Sequence, residues 1–168
     1  MGEGESAMKD WRYDLALARR LESLADTVAS WVLEMDLLST DVRLGQGWEN
    51  DKESKPHQFD LLQTAAEEAE CGEAVCAYLR YQIARSGEGI GWRYGGGGKK
   101  VLAVIKGNLK SEAERAANGA AEDVRGSGTK ATDDELARAW LLLIRQYVGC
   151  LARRFKQRKR DLKLEEEE

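Results

Sequence analysis

With 168 residues, 42% of them hydrophobic and 33% charged, and a single proline, the chain is long enough to bury one core and too short for two ordinary domains. That composition excludes the collagenous and disordered classes and fits a folded helical protein with a charged surface. The formal charge of −4 hides a split, because residues 1–98 hold 10 Lys/Arg against 18 Asp/Glu, residues 99–164 hold 16 against 8, and residues 165–168 are all glutamate.

Met1 to Glu5 are acidic where a signal peptide would be basic and then apolar, and no run approaches the roughly 20 apolar residues of a membrane span. A cytoplasmic protein without membrane contact is therefore expected. The first helix is predicted from about Met8 to Leu38. Leu17, Leu21, Leu24, Val28, Trp31, Met35 and Leu38 recur at spacings of four and three, which places them on one stripe. A core-facing stripe in an antiparallel bundle fits this better than an intermolecular coiled coil, since the seam lasts only about three heptads.

Residues 39–56 are polar, carry glycines and lack periodicity, so they read as a long loop that Trp48 pins to the bundle. Pro56 suits the first turn of a second helix, where its missing N–H costs nothing. Leu62, Ala65, Ala69, Gly72, Cys76, Leu79 and Ile83 continue the three-four spacing. The small residues mid-stripe predict a close helix crossing near Ala69 and Gly72.

Ser86 to Gly98 hold seven glycines in thirteen residues. Gly95 to Gly98 are expected to be too costly in backbone entropy to hold a helix. Arg85, Arg93, Lys99 and Lys100 surround or occupy this segment, with Trp92 and Tyr94 between the charges. Cations that track phosphates beside rings that stack on bases are the parts used to grip single strands. A loop whose aromatics fold back onto the core is the competing reading. A Walker loop ending on Gly98 and Lys99 would need glycine at Arg93 and a hydroxyl at Lys100, so a phosphate cradle is excluded.

A third helix is predicted from about Lys99 to Val124 through Leu102, Ile105, Leu109, Ala113, Ala116 and Ala120, weakened by Gly107, Asn118 and Gly119. Arg125 to Thr129 read as a flexible linker. Thr132 to Glu135 spell a capping box that opens the fourth helix. Its apolar residues form two adjacent stripes, Leu136, Trp140, Leu143, Tyr147 and Leu141, Ile144, Val148, Leu151, Phe155. A face that wide is either central in the bundle or shared with a second chain. Arg153, Arg154, Lys156, Arg158, Lys159 and Arg160 close the helix with more cations than the dipole needs.

Metal and nucleophile signals are thin. His57 is the only histidine, and the spacing of Cys71 and Cys76 sets the thiols about 140° apart on a helix, too divergent to share zinc. An odd number of cysteines in helical segments fits reduced thiols. Glu67, Glu70 and Glu73 lie at successive spacings of three beside Glu68. This stretch resembles the first half of the Glu-x-x-Glu signature of all-helical nucleoside triphosphate pyrophosphohydrolases. The resemblance implies magnesium held jointly with a later Glu-x-x-Asp motif, whereas counting from Glu135 reaches Arg138.

The expected fold is all-α, a four-helix bundle or closely related helical array over residues 1–164, with a long Gly-rich loop between helices two and three and an acidic tail over 165–168. The expected function is that of a non-enzymatic subunit without a cofactor, as in a ribonucleoprotein complex. It would bind RNA or single-stranded DNA through Arg85, Trp92, Arg93, Tyr94, Lys99, Lys100, Arg153, Arg154, Lys156 and Arg158, and assemble with other chains or itself, with oligomerisation through the second stripe of helix four. A self-associating interaction module and the pyrophosphohydrolase are the alternatives.

Overall fold

The computed structural model describes residues 10–34, 58–88 and 91–166. Among them every regular element is helical: α1 (Trp11–Ser23), α2 (Ala25–Glu34), α3 (Gln58–Glu68), α4 (Gly72–Arg85), a 3₁₀ segment (Gly91–Gly96), α5 (Gly97–Val104), a π turn (Ile105–Leu109), α6 (Lys110–Arg125) and α7 (Asp133–Glu166). Met35, Leu38, the loop over 39–56 with Trp48 and Pro56, and His57 lie outside the described residues. No described helix is long and apolar enough to cross a membrane.

α7 is the central element, with α2, α3, α4 and α6 packed on it. Both of its stripes are inside: Trp140, Leu143 and Tyr147 on one and Leu141, Ile144, Val148, Leu151 and Phe155 on the other are buried by this chain alone. The second stripe is therefore spent on the core, which corrects the expectation that it serves self-association. Reciprocal hydrogen bonds set the start of α7, with Glu135 N–H donating to Thr132 Oγ1 at 3.2 Å and Thr132 N–H to a Glu135 carboxylate oxygen at 2.9 Å.

The expected long helices are present, but three are interrupted, the third of them by the π turn between α5 and α6. Leu24 forms a turn between α1 and α2. Residues 69–71 separate α3 from α4, and Arg145 of α7 fills that gap. Its guanidinium donates to the carbonyls of Ala66 (2.9 Å), Glu67 (3.1 Å) and Ala69 (3.1 Å). A helix end leaves its last carbonyls without partners and with partial negative charge, and a guanidinium answers both. The crossing expected near Gly72 is also present: a Cβ there would lie 2.5 Å from Trp140 Cε3. The indole N–H of Trp140 donates to the carbonyl of Ile105, 2.9 Å away, at the start of the π turn.

The third helix begins earlier than expected, and Gly97 and Gly98 are its first residues. Two features offset their entropy. Gly96 caps the helix with a left-handed backbone, φ 69° and ψ 20°. At Gly98 a Cβ would stand 2.8 Å from the Trp92 carbonyl oxygen and 2.5 Å from Ile83 Cγ1, so the absence of a side chain lets three segments meet. Further along, the buried alanines of α6 let α1 and α7 approach closely. The Arg20 guanidinium lies over Gly119 and binds the Asp123 carboxylate at 2.9 and 3.0 Å.

The linker after α6 is tied down instead of loose. Ala131 N–H donates to Asn118 Oδ1 at 3.0 Å and Thr129 N–H to the Gly126 carbonyl at 3.2 Å. Arg125 bonds the Glu135 carboxylate across it, which holds that carboxyl below its ordinary range. The charge split is partly neutralised inside the fold, by Arg138 with Asp14 at 2.6 Å, Lys156 with Asp60 at 2.9 Å and Arg125 with Asp10 at 3.9 Å.

Candidate nucleic-acid interface

The first turn of α3 joins the two segments singled out for their cations. Consecutive side chains diverge by about 100° around a helix, so Gln58, Phe59 and Asp60 reach in different directions. Gln58 Oε1 accepts from the Trp92 indole N–H at 3.2 Å. Phe59, fully buried, meets Trp92 edge-on at 5.2 Å and Phe155 of α7 at 5.1 Å between centroids. Asp60 pairs with Lys156. Three adjacent residues thus fasten the glycine-rich segment and the cationic end of α7 to one place.

This arrangement corrects the role expected of Trp92. At 2% exposure its ring, packed edge-on against Phe59, offers no face to a nucleobase. The cations beside it remain outside. Arg93 is exposed and its Nη1 donates to the Ser86 carbonyl at 3.4 Å, just past the end of α4. Arg85 lies on the last turn of α4 with its guanidinium 5.7 Å from the Tyr81 ring. Both sit at the negative end of the α4 dipole.

Lys99 and Lys100 are exposed in the first turn of α5. There the helix dipole disfavours cations, so local helix electrostatics do not account for them. On α7, Arg153 is exposed and contacts Cys150 Sγ at 3.2 Å, Arg154 is half-buried, and Lys156 keeps a 54% exposed side chain while bonded to Asp60. The side chains of Tyr94 and Arg158 lie outside the described part of the molecule.

Sequence reasoning missed Tyr81. The residue is 61% exposed and carries Arg85 one helical turn away, which makes it an exposed aromatic beside the cations, as Trp92 is not. The available signal was its i,i+4 spacing from Arg85 and its place off the Cys76, Leu79, Ile83 stripe.

The carboxylates have a different fate. The break at residues 69–71 puts Glu67 on α3, Glu70 in the gap and Glu73 on α4, so their successive spacings of three do not place them on one face. Glu67 accepts from Gln63 at 3.0 Å, and among the described residues no three His, Cys, Asp or Glu side chains converge for a metal. Cys71, Cys76 and Cys150 are free thiols, and burial pushes that of Cys76 up from its ordinary value. Comparison with protein-family models, curated proteins and solved structures returned no match.

Proposed function

We propose that the chain is a non-enzymatic helical subunit, a relative of the four-helix bundle built around α7, that grips single-stranded RNA or DNA and assembles with other chains. The observation that carries this reading is the junction at Gln58, Phe59 and Asp60, which fastens two cationic segments distant in sequence to the same helical turn. Cations at the end of α4 and the start of α5 then share a support with those at the end of α7.

The strand's phosphates would meet Arg85, Arg93, Lys99 and Lys100 first, with Arg153 and Arg154 extending the track. Tyr81 would supply the stacking face, its ring polarised by the Arg85 guanidinium. Trp92 contributes by holding the segment in place. Neutralisation of Lys156 by Asp60 leaves it a tether more than a phosphate ligand.

Fluorescence anisotropy with labelled single-stranded RNA and DNA of mixed sequence tests the reading. Binding that weakens steeply as salt is raised is expected. An absence of binding to either strand at low salt overturns it.

A further inference from the structure

Resting on the assembly half of that reading, we infer that the partner includes a second copy of this chain, paired antiparallel through the outward stripe of α1 and α2. Arg12, Leu15, Arg19, Glu22, Asp26 and Leu33 follow one another at helical three, four and seven spacings, and all are exposed. They lie opposite the buried seam of Leu17, Leu21 and Val28. The stripe is basic in its first half and acidic in its second.

Among the described residues, Arg12, Arg19, Glu22 and Asp26 make no ion pair, whereas Asp10, Asp14 and Arg20, which lie towards the buried seam, each do. Arg12 stands in the first turn of α1 and Glu22 in the last, the reverse of what the helix dipole favours. Within one chain Arg12 and Glu22 are therefore placed at a disadvantage. A second copy laid antiparallel removes it, because Arg12 and Arg19 of each copy face Asp26 and Glu22 of the other.

Such a stripe is self-complementary about a twofold axis, the commonest symmetry of oligomers. An open groove of about 460 Å³ runs beside its basic half, between α1 and α6. Trp11, 65% exposed, and Leu15, 43% exposed, line that groove. Leu33 is 62% exposed at the far end of the stripe.

Sedimentation equilibrium of the purified full chain, without nucleic acid, tests the pairing from micromolar to millimolar concentration. The chain is expected to dimerise reversibly. Arg12→Glu with Arg19→Glu makes the stripe wholly acidic, and Glu22→Arg with Asp26→Arg makes it wholly basic. Each variant alone should dimerise at least about tenfold more weakly, since like charges then oppose each other. An equimolar mixture of the two should recover a heterodimer.

Circular dichroism checks that both variants keep their helicity, and the chain carrying all four changes should self-associate again. A wild-type monomer throughout the range, or a mixture that stays monomeric while both variants fold, overturns the proposal. So does a wild-type monomer whose Arg12→Glu, Arg19→Glu variant loses affinity for the labelled strand, which would assign the groove to nucleic acid. Because the dimer is measured without nucleic acid, failure of strand binding and failure of pairing are read separately.

Discussion

Replacing Trp92 with alanine separates a structural ring from a ligand-stacking one. A tryptophan buries roughly 150–250 Å², which at about 25 cal/mol per Å² corresponds to ~4–6 kcal/mol as an upper bound. Truncations of buried aromatics cost about 3–5 kcal/mol, and the edge-on contact with Phe59 belongs to that sum. A loss of about 4 kcal/mol is expected, which for a chain of this size lowers Tm by roughly 8–16 °C. Trp92→Phe keeps an aromatic against Phe59 but leaves Gln58 without its donor, a smaller loss of about 1–2 kcal/mol. Urea unfolding followed by circular dichroism at 222 nm measures both. An unchanged midpoint for Trp92→Ala, together with lost strand binding, would refute the reasoning, since only an exposed ring behaves so.

Three further outcomes follow from the same geometry. Tyr81→Ala, at an exposed position, should change stability by no more than about 0.5 kcal/mol while weakening strand affinity by about 1–3 kcal/mol in anisotropy titrations; equal affinity removes Tyr81 from the interface. Arg145→Met should cost about 2–3 kcal/mol in urea and speed amide exchange in the last turn of α3, because three carbonyls lose a charged donor; unchanged exchange contradicts the capping role.

Burial, then Glu135, pushes the Tyr13 phenol from 10.0 up to about 12, and its buried hydroxyl makes no hydrogen bond among the described residues. Above pH 10 the unfolded chain loses that proton first and so binds fewer protons than the folded one, which makes stability fall as pH rises from about 10 to about 12. Tyr13→Phe should therefore raise the pH of alkaline unfolding, and an unchanged midpoint in a pH titration contradicts the assignment.

The helices were legible because an apolar stripe at three-four spacing is a property of one stretch of chain. Leu17 and Leu21, Leu62 and Leu79, and Ile144 and Leu151 are buried as that spacing required. What interrupts the helices was not local. The gap at residues 69–71 is held by Arg145, more than seventy positions away, and the start of α5 on glycine depends on Ile83 and the Trp92 backbone meeting at Gly98.

The same distance effect sorted the aromatics. Trp92 and Tyr81 are both rings beside arginines in the sequence, yet Phe59 draws one inside while the other stays mostly exposed under Arg85. The spacing of Glu67, Glu70 and Glu73 fails to give one acidic face for the corresponding reason, since that face needs a helix that the chain breaks at residues 69–71. Cations were the most legible part of the candidate site, because lysine and arginine seldom enter a core.

The salt dependence of strand affinity in wild type and in an Arg93→Ala, Lys99→Ala, Lys100→Ala variant tests the central claim most directly. For single strands the slope of log affinity against log salt changes by about 0.7 per phosphate contact, so loss of three contacts should flatten it by roughly 2 while helicity is retained. An unchanged slope, with wild-type affinity in the variant, would contradict the account and remove the glycine-rich segment from the interface.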